Sequence, residues 1–203
     1  MDKKELSMEL LMEYDELVEY LQTKYGKPTR AYFCTSSCKS KAPITRGNEG
    51  LFVHHVKETE IDDLSVPECA REYPWEYQQP DNLCYCNYLE HLLLHILINI
   101  MRCKRNKHFV SDGVLHHIIP AINHIYQDNP IYTTKNQLWR NAAKEQIVGN
   151  EAEYKEMLLF WKNMTFSWMP REFTLDFLLN LRTDTKEYNK IMLISALYRN
   201  SEI

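Results

Sequence analysis

A chain of 203 residues with 44% hydrophobic side chains, five glycines and eight prolines holds enough apolar material for a packed core and too little Gly and Pro for disorder or a fibrous repeat. Its net charge of −4 excludes a uniformly basic nucleic-acid binder, so any contact with phosphate has to come from local clusters. Six cysteines at irregular spacings do not form a disulfide framework, no apolar run approaches a membrane span, and acids interrupt the N-terminal stretch where a signal peptide is apolar; a soluble, cytoplasmic protein with reduced thiols is the expectation.

Leu6, Leu10, Tyr14, Leu17, Val18 and Leu21 recur at helical spacing, which predicts an amphipathic helix over residues 5–23 ended by Gly26 and Pro28. Residues 31–35 read as extended and 35–50 as a polar, basic loop. Leu51-Phe-Val-His-His-Val reads as a short strand after Gly50. The acidic segment that follows contains Pro67, Pro74 and Pro80 and predicts a short helix over 67–73. Leu83-Cys-Tyr-Cys is a second short strand. Residues 88–102 form a helix with Glu90 in its first turn and cations in its last, as the macrodipole favours. Helices are expected over 114–126, interrupted by Pro120, and over 135–148, 151–163, 172–181 and 185–200, with Leu158, Phe160, Trp161, Phe173, Phe177, Leu178 and Leu181 as core. The predicted class is α+β and mostly α-helical: an N-terminal helix (1–30), a β-hairpin and helix unit (31–108) and a helical C-terminal region (109–203).

Charge is unevenly distributed. Residues 22–50 carry six cations (Lys24, Lys27, Arg30, Lys39, Lys41, Arg46) against one anion, Glu49. Residues 56–81 carry eight anions against Lys57 and Arg71, and Arg102, Lys104, Arg105 and Lys107 close the following helix. Lys39, Lys41, Arg46 and this last group flank the histidines and could hold phosphates, whereas solvated faces are the ordinary alternative.

The histidines between them suggest metal chemistry. His91 and His95, at i and i+4, project from one helix face and can meet one ion. Adjacent strand residues point to opposite faces, so one of His54 and His55 can join that ion while the other addresses a water. A single cation could polarise a phosphate oxygen, and a free imidazole, titrating near 6.5, could accept a proton from the attacking water. The amide of Asn82 can bridge backbone groups across the hairpin and so orient the general base. His116-His117 and His124 lack such companions and read as helical or surface residues; His108 reads as exposed.

This order, His54-His55, Asn82 nine residues before His91, and His91-x-x-x-His95, resembles the HNH or ββα-metal nucleases over residues 51–95. The resemblance implies His54, His91 and His95 as metal ligands, His55 as general base and Asn82 as its orienting residue, in a ββα-metal hairpin-helix catalytic unit set into a helical scaffold. It further implies a metal-dependent endonuclease acting on DNA, with one divalent ion, Mg²⁺ or Mn²⁺, although imidazoles favour Zn²⁺ or Ni²⁺. Restriction, phage or defence roles use this unit, and a homodimer is compatible with it; no membrane partner is implied. The interval of 27 residues from His55 to Asn82 exceeds the family's compact hairpin, so an insertion has to loop out, which closure entropy tolerates. The paired CxxC motifs of many relatives are absent. Cys34, Cys38, Cys84 and Cys86 lack that spacing; Cys84 and Cys86, on one face of a strand, read as core, and a structural zinc at Cys34 and Cys38 completed by these two is the alternative. A non-catalytic nucleic-acid-binding protein with a structural metal is the competing reading.

Overall fold

The computed structural model describes residues 9, 11–106 and 113–182. Among them the protein is mostly helical around one two-stranded antiparallel sheet, in keeping with the predicted class. Helix α1 (Tyr14–Tyr25) begins at Glu13, whose side chain accepts from the backbone of Glu16 while the Glu16 carboxylate accepts from Glu13 N. This reciprocal cap starts the helix later than residue 5: the chain turns at Leu11, which is 86% exposed. Residues 5–8 lie outside the described residues, as do Lys107, His108 and the helix expected over 185–200. Tyr14, Leu17, Val18 and Leu21 bury the expected apolar face.

Strand β1 (Phe52–His55) pairs with β2 (Leu83–Cys86), His54 opposite Cys84 and His55 opposite Leu83. Gly50 leads into β1 at φ +76°, and a Cβ there would lie 2.5 Å from the carbonyl oxygen of Ala142, so both the turn and the neighbouring helix require glycine. The insertion between the strands consists of short turns and helix α2 (Pro67–Ala70), shorter than the predicted 67–73. Helix α3 (Tyr88–Asn106) follows β2 after one residue. That residue, Asn87, caps it: its Oδ1 accepts from Leu89 N and Glu90 N, and the Glu90 carboxylate accepts from Asn87 N. Lys24 and Tyr25 at the end of α1 both donate to Glu90, which fixes where α3 begins and therefore where His91 and His95 point.

A π-helical turn (Val114–Ile118) runs into α4 (Ile119–Asp128). Pro120 does not interrupt this helix. It occupies the first turn, where its missing N–H is not needed, and the wider turn before it accommodates the ring. Helices α5 (Trp139–Ile147), α6 (Glu151–Met164) and the short α7 (Leu175–Leu179), capped by Thr174, complete the described chain. The main core draws on Leu89, Leu92, Leu93 and Ile96 of α3, on α1, and on Ile122, Leu158, Trp161, Phe173 and Leu178. Trp161 donates to Asn99 and Asn123 donates to the carbonyls of Leu178 and Leu181, so these two buried amides fasten α6 and α7. No helix among the described residues is long and apolar enough to cross a membrane.

Candidate metal centre

Pleating divides the hairpin. Phe52, His54, Cys84 and Cys86 face α3, whereas Val53, His55, Leu83 and Tyr85 face the loop that carries Tyr32 and Ile44. On the α3 side, His54 meets His91 and His95: one nitrogen from each ring lies within 4.8 Å of the others, and His91 Nε2 is 3.1 Å from His95 Nε2. Phe52 stacks on His91 at 5.8 Å and limits its rotation. This is the one grouping of three or more potential ligands among the described residues. The cysteines do not assemble: Cys84 and Cys86 are in the main core, Cys38 packs with Phe33 and Ala70, and Cys34 is exposed.

The tautomer of His54 follows from its neighbours. Tyr14 donates its hydroxyl proton to the Val56 carbonyl at 2.9 Å, so at 3.0 Å from His54 Nε2 it can only accept. Nε2 therefore carries the proton and Nδ1 a lone pair. That Nδ1 is buried and makes no hydrogen bond, an orphan whose cost a bound cation would remove. Burial, reinforced by the neighbouring rings, pushes His54 and His91 well below the usual histidine range; burial and Arg102 bring His95 down to about 4. All three rings are neutral at pH 7, the form a metal requires. The group could hold a metal ion.

His55 is 1% exposed on the opposite face, packed edge-on against Tyr32 at 4.5 Å. Gln78 Nε2 donates to the Leu64 carbonyl, so Gln78 Oε1 accepts from His55 Nε2–H at 3.0 Å and leaves His55 Nδ1 as the free lone pair. Burial lowers its pKa to about 4, with the Gln78 bond opposing and Lys41 reinforcing the shift. Asn82 does not touch His55. It donates to the Glu76 carbonyl at 2.8 Å and so holds the turn that carries Gln78, which places its influence one step away from the imidazole.

Glu58 lies between the two faces, in the turn just after β1. Its Oε2 is 3.5 Å from both His54 Nδ1 and His95 Nε2, and its Oε1 is 3.9 Å from His55 Nδ1. Burial, with Asp62 adding to it, raises the carboxyl to about 8 despite Arg102. Tyr14, Gln78 and Glu58 were not singled out by the sequence. A tyrosine on a buried helix face carries a weak signal, since its hydroxyl needs a partner; the other two sit in an acidic loop with none.

The basic residues divide into engaged and free. Arg46 binds Glu49 and the Tyr25 carbonyl and covers Tyr85, and Arg102 binds Asp62 and the Glu58 carbonyl. Lys39, Lys41, Lys104 and Arg105 are exposed, and Lys41 lies over Tyr32, the ring against His55. Comparison with protein families, curated proteins and solved structures finds no match to this chain.

Proposed function

We propose that the protein is a metal-dependent endonuclease that hydrolyses phosphodiester bonds in DNA, with residues 51–95 as the core of an HNH-like ββα-metal unit. The observation that carries this reading is the convergence of His54 from a hairpin strand with His91 and His95 from the helix directly after it, beside a second histidine whose free nitrogen faces the same carboxylate. His54, His91 and His95 would hold one divalent ion, which when bound can polarise a phosphate oxygen and offset charge on the departing oxygen. His55, neutral at pH 7 and fixed in one tautomer by Gln78, presents Nδ1 as a proton acceptor for water. Tyr14 orients His54, and Asn82 secures the turn behind Gln78. Lys41, exposed beside the Tyr32 ring, supplies positive charge near His55 for a phosphate.

A second reading, a structural metal in a non-catalytic nucleic-acid-binding protein, is favoured by the 1% exposure of His54 and His55. Supercoiled plasmid incubated with chelator-stripped protein, with Mg²⁺, Mn²⁺, Zn²⁺ or Ni²⁺ added back, separates the two. The endonuclease restores nicking or linearisation with at least one ion and loses it in His55→Ala while still binding metal. If no ion gives cleavage above that variant and chelation unfolds the chain, the structural reading replaces it.

A further inference from the structure

The three histidine nitrogens do not account for the space they surround. At metal–nitrogen bonds of about 2.0–2.1 Å, the ligand atoms of a tetrahedral centre lie roughly 3.3–3.4 Å apart. The His91 and His95 nitrogens, at 3.1 Å, nearly fit that edge. Two further edges of similar length, 3.5 Å each, run to Glu58 Oε2, one from His54 Nδ1 and one from His95 Nε2. Glu58 thus lies beside two of the three rings, against the His54 nitrogen that has no hydrogen-bond partner. Its side chain is only 15% exposed, and among the described residues no lysine or arginine lies within 4 Å of the carboxylate. Three imidazoles and this side chain thus gather donors with no lysine or arginine among them, an arrangement a bound cation would satisfy. The turn is also held in place from behind, since Arg102 donates to the Glu58 carbonyl and binds Asp62.

We propose that Glu58 is the fourth protein ligand of this site, making it a three-histidine, one-carboxylate centre for a tetrahedral ion of the Zn²⁺ class. Three imidazoles and one carboxylate suit Zn²⁺ and its spectroscopic substitute Co²⁺ and match poorly the all-oxygen, octahedral demand of Mg²⁺. The proposal rests on the metal reading of the triad and not on the nuclease reading. In a nuclease, Glu58 is the group that a substrate phosphate displaces; in a structural site, it completes the ligand set.

The test is titration of the chelator-stripped full chain with Co²⁺ and Zn²⁺, comparing wild type, Glu58→Gln and Glu60→Gln. Glu60 is an exposed carboxylate two residues away, paired with Lys57, and controls for loss of charge alone. Wild type should bind one ion with the intense visible bands of four-coordinate Co²⁺. Glu58→Gln should bind about 100-fold more weakly or worse, since losing even an outer partner of a ligand costs up to that much. Glu60→Gln should stay within about fivefold, the scale of an exposed charge. Wild-type affinity and spectrum in Glu58→Gln overturn the proposal and leave the triad intact; failure of wild type to bind either ion removes the metal reading itself. Circular dichroism of the metal-free variants checks folding. If Glu58→Gln does not fold, proton coupling in Co²⁺-loaded wild type decides: no exchangeable water bound to the ion is expected, and its presence overturns the assignment.

Discussion

On the α3 face of the hairpin, His54 gives its Nε2 proton to Tyr14 and groups with two other imidazoles; on the opposite face, His55 gives its Nε2 proton to Gln78 and packs on Tyr32. The two residues are adjacent, equally buried and fixed in the same tautomer. What separates them is the company the pleat assigns: two other imidazoles beside His54, the Tyr32 ring and the Gln78 amide around His55, with Glu58 reaching both. The same side chain is thereby open to a metal ion on one side and to a proton on the other, and the comparison can be broken experimentally.

The largest separation is expected from His55→Ala, which should lower plasmid cleavage about 10²- to 10⁴-fold, the range of general-base catalysis, while metal affinity by calorimetry stays within about threefold. Equal loss of both would show that the faces are not independent. Acidity comes next. His55 titrates near 4 in the folded chain against about 6.5 unfolded, so between those values the unfolded state binds more protons and stability falls as pH drops from 6.5 to 4. The contribution is on the order of 3 kcal/mol, and Glu58, raised to about 8, acts in the opposite direction by favouring the folded state at low pH. Thermal melts of the metal-free protein at pH 7 and pH 5 should show a smaller acid loss in His55→Gln than in wild type; parallel curves would mean that His55 is not buried as a neutral ring. Tyr14→Phe should weaken metal binding by roughly 10- to 100-fold with cleavage restored at saturating ion, because it frees the His54 tautomer without removing a ligand. The smallest effect belongs to Asn82→Ala. Losing one hydrogen bond to Glu76 costs about 1 kcal/mol of stability, and turnover should fall by tenfold or less because the amide acts on His55 only through Gln78.

Much of the frame was legible in the sequence. β2 matches its expected span, β1 and α3 begin within one residue of theirs, and the convergence of His54 with His91 and His95 follows from period two in one element and period 3.6 in the other. The errors have local causes. The apolar period around Leu10 and Tyr14 continues across a turn that only the Glu13–Glu16 cap reveals, and Pro120 looks like a break unless the π turn before it is known. The supporting contacts were out of reach for a different reason. Tyr14 meets His54 across 40 positions and Gln78 meets His55 across 23, distances at which neither periodicity nor composition says which polar side chain arrives. Lysines and arginines posed the same difficulty: Arg46 and Arg102 have the composition of phosphate contacts and are spent on Glu49, Asp62 and backbone carbonyls.

The stretch between His55 and Asn82 looked like an ornament to be looped out of the way, yet both Glu58 and Gln78 belong to it, one at each end. The ring donors sit on strand and helix, where the fold fixes them, while Glu58 and Gln78, which address those rings beside Tyr14 and Tyr32, sit on one contiguous segment joined to the hairpin at two points. A change of length or charge in that one segment therefore reaches both faces of the hairpin at once without altering a single histidine.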